Sequence, residues 1–339
     1  MQFHTDFSFE PLSGRIGLNS HIVTVGSCFA EVMGHRLANH KLSVLNNPFG
    51  TVFNPVSIAK LLTSALHGTI PDENLYLERD GIWFHYDFHS SLWASTQDDL
   101  REKLIDRLQQ TADALRKADF LMLTLGSAVV YRHIQTGSVV ANCHKMPPSL
   151  FEKYLYAYEY LQEDLKRLMK TLNRANPSLT VLLTVSPVRH TRDTLTINQV
   201  SKSTLRVVAH ELTVWNKWIQ YVPAYELMMD DLRDYRFYEA DLIHPTKQAH
   251  DYIFGKFADS AFDAELRTFV TEWTQVSRSL AHRPLYGEQS PAHQQFLTKL
   301  ETQLETLSAR VDVSAELADV RSRLQQGEKE RLNGLGEIA

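Results

Sequence analysis

The stretch that decides the fold is His21-Ile-Val-Thr-Val-Gly-Ser-Cys-Phe-Ala30. Ile22 to Val25 is a short β-branched run typical of a buried strand, Gly26 breaks it, and helical spacing of apolar residues follows. The pattern predicts a strand, a tight turn and a helix, with Ser27 and Cys28 in the turn. Such a turn lies at the carboxyl end of the strand, and the following helix directs free N–H groups and a partial positive charge to the same point. Two nucleophilic residues therefore compete for a functional role here.

Apolar strand-like runs alternate with amphipathic helical patterns up to about residue 262. Phe120 to Leu125 and Leu179 to Val185 are apolar almost throughout, as in central parallel strands. The alternation predicts a doubly wound α/β fold with a mostly parallel sheet. Further predictions are strands at Leu42–Leu45, Ile82–Phe88 and Tyr221–Glu226, a hairpin turning at Thr136–Gly137, helices over 55–66 and about 150–174, and a helix beginning at Pro245.

Polar segments follow the predicted strands. Ligands of doubly wound sheets bind outside the carboxyl ends of the strands. We therefore expect the functional site to be built from the segments 26–28, 46–50, 126–127, 186–190 and 241–244.

The character of the chain changes beyond about residue 262. One helical stripe runs from Phe296 to Val311 and another from Leu317 to Leu324. We expect an α/β domain over 1–262, a helical appendage over 263–326 and a flexible tail over 327–339. The appendage is expected to pack on the domain or on a second copy of the chain, which would give a homodimer.

Composition excludes several classes of protein. The chain has 339 residues, of which 43% are hydrophobic and 22% charged, with a net charge of −5. It can bury a core, and it has no overall electrostatic footprint for nucleic acid or an anionic membrane. No apolar run is long enough to span a bilayer, and the first residues lack the basic and apolar regions of a secretory signal. With only Cys28 and Cys143, we expect a cytoplasmic protein without structural disulfides.

Asp241-x-x-His244 supplies the second half of a catalytic hypothesis. In a turn that leads into a helix, the carboxylate can hold the imidazole tautomer while the other ring nitrogen faces a nucleophile. Taken alone, the pair also fits a helix cap beside a surface histidine. Together with a nucleophile after the first strand, it gives a proposed triad.

Several exact strings resemble one family. Gly26-Ser-Cys-Phe-Ala30 is the motif after which the GSCFA family is named. The chain resembles that family over about residues 20–260, and the family is a relative of the SGNH (GDSL-like) hydrolases. The resemblance implies a three-layer, flavodoxin-like α/β fold. The further matching segments are Asn47-Pro-Phe-Gly50, Thr124-Leu-Gly-Ser127, Asn142-Cys-His-Lys145, Ser186-Pro-Val-Arg-His190, Asp231-Leu-Arg-Asp-Tyr-Arg-Phe237 and Asp241-x-x-His-Pro245.

The resemblance also implies a nucleophile. In SGNH hydrolases the first strand ends in Gly-Asp-Ser, and that serine attacks the substrate. A comparison without gaps puts Cys28 at the nucleophile position, whereas a shift of one residue selects Ser27. We favour Cys28, because a thiol at a helix N-terminus beside an imidazole is easily activated. Burial of Cys28 as a small apolar residue remains an alternative.

The same resemblance predicts the oxyanion donors. They are the N–H of Cys28 and that of Gly50, which follows the second strand. The family pattern also expects an asparagine in a Gly-x-Asn-Asp segment after the third strand, but this chain has Gly126-Ser-Ala-Val129 there. Ser127 is one replacement, and Asn142 from the hairpin is another unless it is an ordinary turn residue.

Two histidine-containing clusters carry further alternatives. If His85, Asp87 and His89 alternate on one strand, they share a face and suggest a metal site; otherwise His89 lines the substrate cleft. Arg189 and His190 lie at the expected cleft edge and suit an anionic group of a substrate. Pairing of Arg189 with the acidic segment 230–241 is equally compatible with the sequence.

These predictions combine into one working hypothesis. The protein hydrolyses or transfers a small acyl group, most simply acetyl, on a small-molecule or carbohydrate-type ester. Cys28 attacks the acyl carbon, His244 carries the proton and Asp241 orients His244, with no metal and no cofactor. The alternatives are a non-catalytic binding protein on the same fold, and a metal-dependent hydrolase that uses the cluster at 85–89.

Overall fold

A parallel sheet organises the first of the two units into which the chain divides, residues 1–263 and 264–339. The structure is a computed structural model that describes residue 7, residues 11–284 and residues 289–336. The strands of the described residues are β1 (His21–Gly26), β2 (Ser43–Asn46), β3 (Tyr76–Arg79), β4 (Ile82–His85), β5 (Phe120–Leu125), β6 (Val129–His133), β7 (Val139–Val140), β8 (Phe151–Leu155), β9 (Thr180–Val185) and β10 (Ile219–Tyr221).

The central sheet has the order β10-β9-β5-β1-β2, and every pairing in it is parallel. Numbered among themselves in chain order, these five strands run 2-1-3-4-5, which is the flavodoxin-like order of doubly wound folds. All six residues of β5 are buried. Because successive side chains of a strand point to opposite faces, both faces of the sheet are covered. The predicted three-layer α/β fold is confirmed.

Helices of the first unit follow the core strands and turn the chain back across the sheet. Several begin at a side chain that caps the first turn, as Asn54 does when its Oδ1 accepts the N–H of Ser57 at 2.7 Å. The helices of this unit are α1 (Cys28–Asn39), α2 (Pro55–His67), α3 (Gln97–Lys117), α4 (Tyr158–Ala175), α5 (Thr194–Trp215), α6 (Ala224–Glu226) and α7 (Lys247–Ala261).

Two predicted elements have different bounds because strands pair outside the central sheet. The strand predicted over Ile82–Phe88 ends at His85 and pairs antiparallel with β3. Residues 151–155, assigned to a helix by the sequence pattern, form β8 and pair antiparallel with β6. Helix α4 therefore begins only at Tyr158, since cross-strand pairing overrides a local helical spacing.

Two more predicted bounds, those of the last core strand and of the helix after His244, differ in the structure because of a proline and a threonine. The last core strand is Ile219–Tyr221 rather than Tyr221–Glu226. Pro223 has no N–H to continue the ladder, and it directly precedes α6. The helix expected to begin at Pro245 begins at Lys247 instead, because Thr246 is its N-cap and accepts the N–H of Ala249 at 3.2 Å.

The second unit is helical in its described part. Its helices are α8 (Ala264–Leu280), α9 (Pro291–Leu307) and α10 (Ser314–Gly336). The two apolar stripes of the sequence fall mainly on α9 and α10. The tail predicted from residue 327 is helical up to Gly336, and residues 337–339 lie outside the described residues. No helix among the described residues combines the length and the apolar character required to cross a bilayer.

Gly26 allows β1 to turn into α1 while it touches the neighbouring strand. Its φ is +141°, a conformation that side chains disfavour, and a Cβ at this position would lie 2.1 Å from the carbonyl oxygen of Thr124. The Gly26 carbonyl accepts the N–H of Val52 at 2.9 Å, so the following loop is tied to the same turn. Only glycine fits here without displacing β5.

We expect Gly26→Ala to lower the free energy of unfolding by about 3 kcal/mol, because it combines backbone strain with a steric overlap against main-chain atoms. The measurement is urea unfolding followed by circular dichroism. Gly68→Ala is the matched control, since Gly68 has φ +67° but no atom within 4 Å of the added Cβ. Equal losses in the two variants would show that the close approach to Thr124 is unimportant.

Candidate active site

Ser27 shapes the turn between β1 and α1. It is fully buried, with extended φ and ψ of −68° and 174°, and its Oγ accepts the N–H of Phe29 at 3.3 Å as the N-cap of α1. Its own N–H donates to the carbonyl of Thr124 at 3.3 Å. The hydroxyl therefore serves the helix end, and Ser27 has no open path to a substrate in this conformation.

Cys28 is the first residue of α1 and is partly exposed as a free thiol. Burial raises the pKa of this thiol, while the positive charge of Lys202 acts to lower it. Hydrogen bonding from the backbone of Cys28 and Phe29 also acts to lower this pKa. A thiolate, or an oxyanion formed beside it, would be stabilised by this helix N-terminus.

Helix α5 brings a polar face to the carboxyl edge of the sheet. Asn198 accepts the backbone N–H of His190 at 2.9 Å, and Ser201 accepts that of Ala128 at 2.8 Å. Lys202 is 1% exposed, and its Nζ donates to the carbonyls of Gly126 and Ser186 at 2.8 and 2.7 Å. The face thus fastens the ends of β5 and β9, and it places a buried amine close to Cys28.

The sequence reasoning missed Lys202, although a signal for it exists. The apolar stripe of α5 contains Leu205, Val208 and Leu212. Continued towards the N-terminus with helical spacing, the same face carries Lys202 and Asn198. Polar residues on the buried face of a helix that follows a central strand are candidates for a site, and here that rule would have found them.

Asp241 and His244 form the pair that the sequence predicts. His244 Nδ1 lies 2.7 Å from Asp241 Oδ2, and Oδ1 accepts the N–H groups of Ile243 and His244 at 2.8 and 3.0 Å. The hydrogen bond from the His244 side chain, followed by those from the backbone, holds the pKa of Asp241 at about 2. The carboxylate is therefore ionised and fixes the orientation of the imidazole.

The loop of His244 lies at the same edge of the sheet as Cys28. The N–H of Arg189, in the segment after β9, donates to the carbonyl of Ile243 at 3.3 Å. The ring of His250, which His244 influences electrostatically, lies 6.0 Å from the ring of Phe29. Within the described residues, however, no hydrogen bond joins the His244 ring to the Cys28 sulfur or to the Ser27 hydroxyl.

Gly50 does not offer the free donor that the resemblance implies. Its N–H donates to the carbonyl of Asn47 at 2.8 Å and closes the turn after β2. Asn47 is buried, and its Oδ1 accepts the N–H of Gly26 at 2.9 Å, so this turn is fastened to the first strand. The oxyanion role predicted for Gly50 is not met in this conformation, because its donor is already used.

Ser127 and Asn142 also serve local turns. Ser127 is buried, and its Oγ lies 3.2 Å from the Oγ of Ser201 and accepts the N–H of Val129 at 3.0 Å. Asn142 Oδ1 accepts the N–H of His144 at 2.8 Å. No hydrogen bond connects either residue with Cys28 in the described part of the chain, so a third oxyanion donor stays a prediction.

Arg189 and His190 have environments that differ from those predicted. The Arg189 guanidinium lies 3.9 Å from the ring centroid of Tyr238 and 5.1 Å from that of Tyr235, so its partners in the segment 230–241 are aromatic rings. Burial, followed by the charge of Lys202, lowers the pKa of His190 to about 3. His190 is therefore neutral at physiological pH and supplies no charge for an anionic substrate. Its Nε2 is buried without a hydrogen-bond partner among the described residues.

His89 lies beside the turn of Gly50, where a Cβ on the glycine would come within 2.4 Å of the His89 Cβ. Burial lowers the pKa of His89, and Glu31 opposes this effect. An open pocket of about 400 Å³ lies beside Gly50. Glu31, one helical turn along α1 from Cys28, contributes to its lining, whereas Cys28, His89 and His244 do not. Its lining is largely polar: Glu31, His35, Asn46, Asn47, Pro48, Gly50, Ser91, Leu92, Lys103 and Arg107.

The residues His85, Asp87 and His89 do not share a strand face, because β4 ends at His85. His85 Nε2 lies 3.1 Å from the carbonyl oxygen of Asp72, Asp87 forms an ion pair with Lys60 at 2.6 Å, and His89 Nδ1 lies 3.0 Å from Ser91 Oγ. No group of three potential ligands converges anywhere in the described ranges. The metal-site alternative built on these residues is therefore wrong.

Most of the chain matches one protein family. Residues 21–257 match the GSCFA family, and residues 273–326 match the C-terminal domain of GSCFA domain proteins. A structure from Streptococcus pneumonia described as a platelet activating factor is similar at 12% identity with a TM-score of 0.37, covering 71% of this chain and 83% of that chain. The Clostridium thermocellum family 3 carbohydrate esterase is similar at 12% identity with a TM-score of 0.36, covering 75% and 100%. No curated protein matches. Structural likeness at this level carries no argument about activity.

We expect Ser27→Ala to cost about 1 kcal/mol of unfolding free energy, because it removes a helix cap, and to leave Cys28 open to labelling by iodoacetamide. Urea unfolding and peptide mass spectrometry measure the two effects. Thr96→Ala is the control, because Thr96 caps α3 by accepting the N–H of Asp99 at 3.1 Å. If Ser27→Ala abolished ester turnover while its stability matched that of the control, Ser27 would be the nucleophile.

Proposed function

The chain belongs to the GSCFA family, and on that premise we propose that it is an acyl-ester hydrolase or acyltransferase whose nucleophile is the Cys28 thiol. The observation that carries the proposal is the environment of the sulfur. The sulfur is partly exposed at the N-terminus of α1, where backbone hydrogen bonding and the charge of Lys202 oppose the rise of its pKa that burial causes. The helix N-terminus favours negative charge on an oxygen attached to a carbon that the sulfur attacks, while a base has to remove the thiol proton.

In the proposed reaction the sulfur attacks the acyl carbon and forms a thioester. The developing oxyanion takes the N–H of Cys28, a group without a backbone acceptor among the described residues. His244 takes the thiol proton and gives it to the leaving alcohol; it later removes a proton from the incoming water or acceptor alcohol and returns that proton to the departing sulfur. Asp241, at 2.7 Å from Nδ1, stabilises the imidazolium and keeps Nε2 free for this exchange.

The lining of the neighbouring pocket guides the choice of substrate. Carboxylate, amide, imidazole and cationic groups surround its volume of about 400 Å³, and few of its residues are apolar. These groups suit the hydroxyls of a carbohydrate-type alcohol better than a long acyl chain. A small acyl group such as acetyl, carried by a polar alcohol, is therefore the proposed substrate. A thioester serves hydrolysis and acyl transfer equally.

A binding protein on the same fold is the second candidate. Two observations favour it. The N–H of Gly50 already donates to the carbonyl of Asn47, and no hydrogen bond joins His244 to Cys28 in the described residues. Apo enzymes often show loose catalytic hydrogen bonds that tighten when substrate binds. Catalysis is therefore the preferred function, and an assay of ester turnover distinguishes it from binding alone.

The test is turnover of p-nitrophenyl acetate and of acetylated sugars by the full chain. We expect Cys28→Ala to lower kcat/KM by at least about 10³-fold, and His244→Ala to lower it by about 10²–10⁴-fold. Mass spectrometry after rapid acid quenching should find the acetyl group on the peptide that contains Cys28.

Cys143→Ala is the matched control for the loss of a thiol, because Cys143 is the other free cysteine and has no role in the proposed site. Its turnover should equal that of the wild type. Full turnover in both Cys28→Ala and His244→Ala would refute the proposed chemistry. Absence of turnover in the wild type, together with measurable binding of acetylated sugars, would favour the binding protein.

A further inference from the structure

The pocket beside Gly50 contains two cations that no carboxylate of the described chain neutralises. Its volume is about 400 Å³, within the range of about 300–1,000 Å³ that is usual for sites of small ligands. Lys103 and Arg107 both line it, and because they are four residues apart on α3 they lie on one face of that helix. No ion pair joins either side chain to an acid within the described ranges.

Arg107 brings an unpaired guanidinium to the wall of the pocket. Its Nε is buried and has no hydrogen-bond partner among the described residues. The neighbouring acid, Asp106, is engaged elsewhere, because its Oδ2 accepts Nε2 of Gln110 at 2.6 Å. A buried donor without an acceptor costs free energy, and the guanidinium is cationic at every physiological pH. The side chain therefore suits an oxyanion that enters the pocket from solvent.

Lys103 is positioned by an uncharged acceptor. Its Nζ donates to the carbonyl of Trp93 at 3.0 Å and lies 5.9 Å from the centroid of the Trp93 ring. This contact holds the ammonium at the segment that follows Ser91 and Leu92, which also line the pocket. An ammonium has three hydrogens, so two of them stay available for a ligand.

Glu31 and Ser91 supply groups that suit the hydroxyls of a ligand. Glu31 belongs to α1, and its Oε2 accepts the hydroxyl of Thr51 at 3.3 Å, which leaves further lone pairs for a ligand. Ser91 Oγ lies 3.0 Å from His89 Nδ1. Because the acid comes from α1 and the two bases come from α3, an occupant should direct its hydroxyls towards Glu31 and its negative charge towards α3.

The two amide side chains of the pocket are already engaged. Asn46 Nδ2 donates to the carbonyl of Glu31 at 3.0 Å, and Asn47 Oδ1 accepts the N–H of Gly26 at 2.9 Å. These bonds hold the wall in place and connect it to the turn that precedes Cys28. Discrimination among ligands therefore falls to the charged groups of the lining.

We propose that this pocket binds the phosphate group of a small polyhydroxylated molecule, such as a sugar phosphate, through Arg107 and Lys103. A phosphate monoester has three free oxygens, enough for the fork of a guanidinium and for an ammonium at once, whereas a carboxylate has two. Pro48 and Leu92 are the apolar side chains of the lining, so a lipid chain would find little contact. The inference rests on the proposed function only in assigning this ligand to the alcohol part of the ester.

The test is the affinity of the full chain for inorganic phosphate, glucose 6-phosphate, glucuronate and glucose, measured by isothermal titration calorimetry in a buffer free of phosphate. We expect glucose 6-phosphate to bind at least about tenfold more tightly than glucose or glucuronate, and inorganic phosphate to compete with it. Its affinity should fall at least about tenfold in Arg107→Met and at least about threefold in Lys103→Met, because each variant loses charge-assisted hydrogen bonds.

Arg101→Met is the matched control. Arg101 lies on the same helix, pairs with Glu73 at 3.2 Å and does not line the pocket, so its loss should leave the affinity unchanged. Near-ultraviolet circular dichroism checks that each variant is folded. The comparison among ligands uses the wild-type chain and depends on no variant.

Three results would overturn the inference: no binding of either phosphate compound to the wild type, binding of glucose or glucuronate as tight as that of glucose 6-phosphate, or equal affinities in Arg107→Met and Arg101→Met. None of these readouts needs ester turnover. If Arg107-dependent binding is found but no acetyl ester is hydrolysed, the proposed function fails and the phosphate site stands. If acetylated glucose is hydrolysed with the same kcat/KM with and without its phosphate, the proposed function stands and this inference fails.

Discussion

The contact between the backbone of Gly26 and the backbone of Thr124 is the constraint on which the site depends. Because no side chain intervenes, β1 turns directly against β5, and the N–H of Ser27 reaches the Thr124 carbonyl at 3.3 Å. Helix α1 therefore starts at the carboxyl edge, with its first N–H groups beside the Cys28 sulfur. Asn47 fixes the same turn from the other side through the N–H of Gly26 at 2.9 Å. The position of the thiol thus follows from main-chain contacts.

The sequence predicted the fold well where periodicity is a local property. β5 was found with its bounds, and the parallel direction of the central strands followed from the alternation of strands and helices. Prediction failed where the structure of a segment depends on contacts with residues that are distant in the sequence. Phe151–Leu155 is a strand because it pairs with β6, and nothing within the segment shows this. The donor of Gly50 is lost to a turn whose hydrogen bonds are invisible in the family pattern.

The site itself was only half predictable, for a related reason. Asp241 and His244 are close in sequence, so their pairing follows from local geometry. Lys202 reaches Gly126 and Ser186 across 76 and 16 residues, and its importance becomes visible only when the ends of β5 and β9 are brought together. A lysine among the apolar residues of α5 contradicts the local pattern. Such contradictions in a buried face are typical of functional positions.

The ease of losing a proton also bears on the choice between the two nucleophiles. Burial raises the pKa of the Cys28 thiol, and the N-terminus of α1 opposes this rise. A serine hydroxyl holds its proton far more tightly than a thiol does, so it needs more help from a base. Ser27 is in addition fully buried and accepts the N–H of Phe29. The chemistry of the thiol and the helix cap therefore favour the same assignment: Ser27 forms the turn, and Cys28 is the nucleophile candidate at this edge of the sheet.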